Sequence, residues 1–201
     1  MKTIYAQFDK AAINDLPRAL FDGRIIVVQS KTEARRAVDY LSKFQRVGID
    51  TETRPSFRRG SMNHVALLQV STHDTCFLFR LCQIGLPDSV VGLFTDASVQ
   101  KIGLSLHDDW AQLRRRVDFE PTASLDLQDF VRRLGVEDMS LQKLYANFFH
   151  QKISKGQRLT NWEADILTPA QKAYAATDAW ACLQLYDEIN HLLESKEYEL
   201  L

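Results

Sequence analysis

With 201 residues, 45% apolar and 25% charged content and a net charge of −1, the chain has the make-up of an ordinary globular protein large enough to bury a core in one domain. The near-zero charge excludes a global basic field for holding nucleic acid and leaves that task to a local patch. Cys76, Cys82 and Cys182 lack metal-ligand spacing, Met1–Lys10 lacks the apolar stretch of a secretory signal, and no apolar run reaches membrane-spanning length; together these predict a cytoplasmic protein with no membrane partner.

Residues 1–24 carry scattered apolar positions (Ile4, Phe8, Ile13, Leu16, Leu20, Phe21) and read as an irregular arm or short helix. Ile25–Val28 is β-branched and predicts a strand. Ser30 and Glu33 make a capping box opening a helix whose apolar face is Ala34, Ala37, Val38 and Leu41. Val47–Glu52 has the alternation of a short buried strand, and Pro55 and Gly60 mark the segment after it as a loop. Val65–Val70 and Thr75–Phe79 predict two strands joined by a polar turn. A helix is expected over Asp88–Phe94, a strand over Lys101–Leu106, and a helix from Asp108 to about Val117. Leu125–Leu134 and Leu141–Phe149 look helical, and Gln151–Leu159 is a polar loop. Thr168, Pro169 and Gln171 supply the last helix with an N-cap, a proline at the first position and a second capping box, and it runs to about Leu193. Without repeat or linker, the chain predicts a single α/β or α+β layered domain over residues 25–193, with an arm at 1–24 and a tail at 194–201.

Asp50 and Glu52 point to one face of their strand, about 6.6 Å apart by strand geometry. Two full charges at that separation repel by roughly 2.5 kcal/mol at an effective dielectric of 20. A hard divalent cation such as Mg²⁺ or Mn²⁺ relieves that repulsion, and so does solvation at a strand end. Tyr174 and Asp178 stand one turn apart on the last helix, and Ala175, Ala176 and Ala179 let that helix approach a sheet closely. Alone, the pair also reads as a core tyrosine with a surface acid. Adjacent helical residues point about 100° apart. Asp109 therefore shares the inward face of Leu113, while Asp108 shares that of Gln112 and Arg115 and is expected to be the helix N-cap. His107 reads as a polar residue at a strand end, and Arg114-Arg115-Arg116 as a solvated face.

Three segments, in order, carry a family likeness: Val47-Gly48-Ile49-Asp50-Thr51-Glu52, the stretch from Lys101 to Leu113 containing Asp109, and the stretch from Leu167 to Ala179 containing Tyr174-Ala175-Ala176-Thr177-Asp178. With Val65–Val70 and Asn161-Trp162 in support, the sequence resembles the DEDDy 3′→5′ exonucleases, the family of ribonuclease D and of the exonuclease domain of the Werner-syndrome helicase, over roughly residues 25–193. The resemblance implies a ribonuclease H-like fold, with a mixed five-stranded central sheet flanked by helices. It implies two divalent ions, Mg²⁺ or Mn²⁺, held among Asp50, Glu52, Asp109 and Asp178, with Tyr174 orienting the attacking water. The implied activity is that of a metal-dependent hydrolase releasing nucleoside monophosphates from the 3′ end of DNA or RNA. Tyr174 marks the tyrosine branch, since the histidine branch has its histidine five residues before the last aspartate, where this chain has Ala173. Two alternatives stand beside this reading: a non-cleaving nucleic-acid-binding or adaptor module with an exonuclease-like fold, and a metal phosphohydrolase acting on a smaller substrate. Adaptor descendants usually lose metal ligands, and this chain retains each one.

Substrate contacts are expected from Thr51, Arg54, Arg58 and Arg59 after the first acidic pair, and from Lys155 and Arg158 (with Lys152) before the last helix. Phe57 has the chemistry to stack a base. A solvated charged loop and a packed loop anchor are equally consistent with these residue types.

Overall fold

The computed structural model describes residues 1–56 and 63–201, so Phe57, Arg58, Arg59 and Gly60 lie outside the described residues. In chain order the elements begin with β1 (Lys2–Ile4), a 3-10 turn (Ala12–Asp15), β2 (Arg24–Val28), α1 (Lys31–Leu41), β3 (Arg46–Thr53), β4 (Val65–Ser71), β5 (Thr75–Phe79), α2 (Leu81–Ile84) and α3 (Asp88–Thr95). They continue with β6 (Gln100–Gly103), α4 (Leu106–Arg114), β7 (Ser124–Asp126), α5 (Leu127–Val131), a second 3-10 turn (Arg132–Leu134), α6 (Leu141–Phe149), α7 (Pro169–Ser195) and β8 (Tyr198–Leu200).

The central sheet has the order β2, β5, β4, β3, β6, β7. Every neighbouring pair is parallel except β3–β4 and β4–β5, so β4 alone runs against the others. β4 is buried along its whole length, as a strand covered on both faces must be. Alternation divides the core from Leu67 onward, with Leu67 under α7 and Leu68 and Val70 against α1, α3 and α4; before it the pairing with β3 shifts register at Glu52/Thr53, and Val65 joins the second set and Ala66 the first. This is the α/β, ribonuclease H-like arrangement expected from the sequence, with one correction: among the described residues the sheet has six strands, not five. The sixth is the edge strand β7, paired parallel to β6.

Both capping boxes form. Ser30 and Glu33 close the start of α1, and Thr168 and Gln171 that of α7. Gly48 is required by the approach of α7 to the sheet: a Cβ there would lie 2.0 Å from the carbonyl oxygen of Ala179. Ala175, Ala176 and Ala179, all fully buried, complete that close contact.

Two boundaries differ from expectation. The strand expected over Lys101–Leu106 stops at Gly103, and α4 opens at Leu106 behind Ser105, whose φ of 61° reverses the chain. Asp108 is therefore inside the first turn and is not the N-cap. The start of α4 is closed instead by Asp126, whose carboxylate accepts from Ser105 N–H at 3.1 Å and Leu106 N–H at 2.8 Å. The same carboxylate accepts from Gln128 N–H at 2.9 Å and so caps α5 as well. Leu125–Leu134 accordingly begins as strand β7, because Asp126 must leave the helical conformation to serve both ends.

The arm is ordered by partners distant in sequence. β1 pairs parallel with β8 at the other end of the chain, and Ile4, Phe8 and Ile13 are buried. Phe21 N–H donates to the Thr177 hydroxyl at 3.1 Å, tying the arm to the turn of α7 between Tyr174 and Asp178.

Candidate active site

β3, α4 and α7 converge at the carboxyl end of β3. Asp50 and Glu52 occupy the same face of β3 as Gly48, the face covered by α7. α7 contributes Asp178, 6% exposed, and Tyr174, 7% exposed, one turn earlier. One carboxylate oxygen from each of Asp50, Glu52 and Asp178 lies within 4.8 Å of the others, tighter than strand geometry alone suggests. Asp109 joins from α4, where it is half-buried and accepts a hydrogen bond from the Thr51 hydroxyl. Asp108, its neighbour, is exposed, so the inward choice between the two falls on Asp109. Trp110 fixes the rotation of α4, with its ring edge-on to Phe94 at 4.9 Å and to Phe119 at 6.1 Å.

The electrostatics follow from burying four acids together. Burial raises the Asp50 carboxyl from 3.8 to about 7, against the lowering effect of the Thr51 backbone N–H. Burial, then the charges of Asp50, Asp178 and Asp109, push Glu52 up to about 10. Asp109 and Asp178 are raised well above the ordinary range by burial first and Asp50 second. The Tyr174 phenol is also raised, by burial and by the adjacent Asp178, and is a neutral donor at any working pH. Among the described residues, Arg158 acts against these and lowers the Glu52 pKa from an exposed loop position.

These observations fit divalent cations. The donors are hard carboxylate oxygens from β3 and α7, with Asp109 of α4 in electrostatic contact; they are desolvated, and Asp178 Oδ1 is buried without a hydrogen-bond partner. Without a cation, such a cluster keeps protons that acids of this type normally lose.

The remaining sequence-selected residues divide by position. Thr51 spends its hydroxyl on Asp109. Arg54 pairs with Glu163 at 3.1 Å, Lys155 is exposed, and Arg158, also exposed, acts electrostatically on Glu52. Trp162 is fully buried with its ring 5.9 Å from that of Tyr174, which explains the place of Asn161-Trp162 beside the last motif.

Three residues near the site gave no local signal. Asp126 holds the start of α4 across 21 residues of sequence. Gln69 is the cross-strand partner of Asp50, is fully buried, and leaves both amide atoms without partners. Arg116 belongs to the run expected to form a solvated face; Arg114 and Arg115 are exposed, whereas Arg116 is half-buried and donates to Val65 O at 2.7 Å. The backbone contact of Arg116 became visible only once α4 was placed against the start of β4.

A mixed sheet with one reversed strand and four carboxylates at the end of its central strand defines a ribonuclease H-like protein with an acidic, metal-type centre. The family model described as 3′-5′ exonuclease matches residues 25–194, and the chain belongs to that family. "Exonuclease 3′-5′ domain-containing protein 2" of Drosophila melanogaster is 34% identical over 69% of this chain, which spans 24% of that protein. A "3′-5′ exonuclease" of Arabidopsis thaliana is 29% identical over 94% of this chain and 72% of its own length. Among solved structures, the EXO domain of Nibbler from Aedes aegypti superposes with a TM-score of 0.78 at 22% identity, covering 88% of this chain and 91% of that one. Among the described residues, no helix is long and apolar enough to cross a membrane.

Proposed function

We propose that the chain is a divalent-metal-dependent 3′→5′ exonuclease of the tyrosine (DEDDy) branch, acting on a DNA or RNA 3′ end, with residues 25–193 as its catalytic domain. The observation that carries the reading is the convergence of Asp50, Glu52, Asp109 and Asp178 with Tyr174 in one desolvated cluster. Asp50, Glu52 and Asp178 would hold one ion, and Asp50 with Asp109 a second. When bound, such ions lower the pKa of an attacking water and neutralise a departing 3′-oxygen.

The chain's own groups have separable tasks. Thr51 fixes the Asp109 carboxylate, and Asp126 fixes the start of the helix that carries it. The Tyr174 hydroxyl, protonated at neutral pH, positions a water or a phosphate oxygen as a donor; it is too weak an acid to supply a phenolate base. Trp162 packs the Tyr174 ring in place. Arg158, whose charge acts on Glu52, would meet a phosphate that enters the cluster, and Arg54 and Lys155 would contact the strand as well. Arg58 and Arg59 keep that role on sequence grounds alone.

The test uses 5′-labelled single- and double-stranded DNA and RNA with Mg²⁺ or Mn²⁺. Ladders that shorten from the 3′ end, and that vanish with EDTA, are expected. Retained binding with no cleavage of any of these substrates would favour the adaptor reading instead.

A further inference from the structure

A groove of about 500 Å³ opens at the same edge of the sheet as the carboxylate cluster, lined by Asn63, His64, Cys82, Gln83, Arg116, Glu163 and Asp165. Its lining residues Asn63 and His64 lead directly into β4 at Val65, to whose carbonyl Arg116 donates. Val65 there is the strand partner of Thr53, the residue after Glu52, so groove and cluster adjoin across one rung of the sheet. The volume is that of a small-ligand site and accommodates a nucleotide unit.

We propose that this groove is a phosphate subsite for the substrate strand, with Arg116 as the residue that binds the phosphodiester. The proposal rests on the exonuclease reading above and adds the place where the strand is gripped away from the cut. Arg116 is half-buried and has one anchoring bond, from Nη2 to Val65 O at 2.7 Å. That bond sets the plane of the guanidinium but leaves most of its five donors unused. Nε has no acceptor, and among the described residues no carboxylate lies within ion-pair distance of Arg116.

Two acids line the groove. Glu163 is engaged by Arg54 at 3.1 Å, and Asp165 is exposed to solvent. Desolvation lowers the pKa of Arg116, with Cys82 and Glu163 acting against it, and the buried Nε is left without an acceptor. An anion with several acceptor oxygens supplies what is missing, and the planar guanidinium fork matches a phosphate bidentately. Asn63, His64 and Gln83 in the lining add hydrogen-bonding groups able to meet a sugar or base edge without imposing sequence.

Equilibrium binding tests the proposal separately from cleavage. A fluorescent single-stranded oligonucleotide and a dinucleotide are titrated with wild type, Arg116→Gln and Arg116→Lys in Ca²⁺, and cleavage in Mg²⁺ is assayed in parallel. Arg116→Gln is expected to weaken binding of the oligonucleotide roughly tenfold, the loss of one charge-assisted contact. It should leave the dinucleotide, which fills only the cluster, unchanged. The dependence of log Kd on log salt should fall by about 0.7, one phosphate's worth for a single strand. Arg116→Lys keeps the charge and should retain the wild-type salt slope with weaker binding. Unchanged oligonucleotide affinity in Arg116→Gln, or an equal loss for dinucleotide and oligonucleotide, overturns the subsite. Tight binding that depends on Arg116 without any cleavage by wild type would uphold the subsite and sink the exonuclease reading instead.

Discussion

Asp50→Asn separates a metal site from a structural ion-pair network, because the two predict opposite changes in stability. In the metal-free protein the Asp50 carboxyl titrates near 7 instead of 3.8. The folded state therefore binds more protons than the unfolded state between those values, and stability falls as pH rises through that window. For Asp50 alone the difference corresponds to about 4 kcal/mol, as a ceiling, since relaxation and coupling to Glu52 reduce it. Asparagine resembles the protonated acid in shape and carries no charge. In EDTA at pH 8, Asp50→Asn should therefore be more stable than wild type by about 2–4 kcal/mol, and by little near pH 4. Urea midpoints at the two pH values, with m-values held equal, measure this directly. Lys101, lowered to about 8 by burial, acts with the opposite sign and above it, since loss of its proton favours the folded state as pH rises from about 8 to 10.5. Mn²⁺ at pH 8 in a thousandfold excess over Kd should reverse the ranking, adding about 4.1 kcal/mol to wild type. An Asp50→Asn protein less stable than wild type in EDTA at pH 8 would refute the reasoning.

Further outcomes follow from individual contacts. Tyr174→Phe keeps the ring packed on Trp162 and removes the hydroxyl, so turnover should drop at least tenfold while oligonucleotide Kd and melting temperature hold; equal losses in all three would make Tyr174 a core residue only. Asp126→Ala removes the acceptor for three backbone N–H groups at two helix starts, and should cost about 2 kcal/mol in urea unfolding and reduce activity through Asp109. Asp108→Ala, at an exposed position with no capping role, should change urea stability by less than about 0.5 kcal/mol and leave turnover intact; a larger effect would restore it as a functional residue. Gly48→Ala forces a methyl group against the Ala179 carbonyl and should destabilise by about 3 kcal/mol or more, read as loss of soluble folded protein or a large fall in melting temperature.

What could be read from the chain depended on the range of the interaction. Ser30 with Glu33 and Thr168 with Gln171 announce helix starts because each capping box closes within four residues. Periodicity puts Asp50 with Glu52, and Tyr174 with Asp178, on shared faces, and register with Leu113 turns Asp109 inward, but only the family resemblance joins these residues into one site. The start of α4 was misread because its cap, Asp126, arrives from the far side of a loop and itself breaks what looked like one helix from Leu125. β7 has three residues, too few for a period of two to register against the helix that follows. The arm was opaque for the same reason: its order comes from Tyr198–Leu200 and Thr177, neither of which Met1–Gly23 can reveal. Gln69 sits unremarkably within an apolar strand sequence until the register sets it opposite Asp50.

The central claim is that the carboxylates gathered by β3, α4 and α7 form a cation site whose ligands are protonated when it is empty. Calorimetric titration of Mn²⁺ into metal-free wild type and Asp50→Asn at pH 8, repeated in buffers of different ionisation enthalpy, tests it most directly. Wild type should take up Mn²⁺ and release protons, chiefly from Glu52, which titrates near 10 without a cation, and Asp50→Asn should take up little or none. Equal uptake by the two proteins, or uptake by wild type with no proton release, would contradict the account.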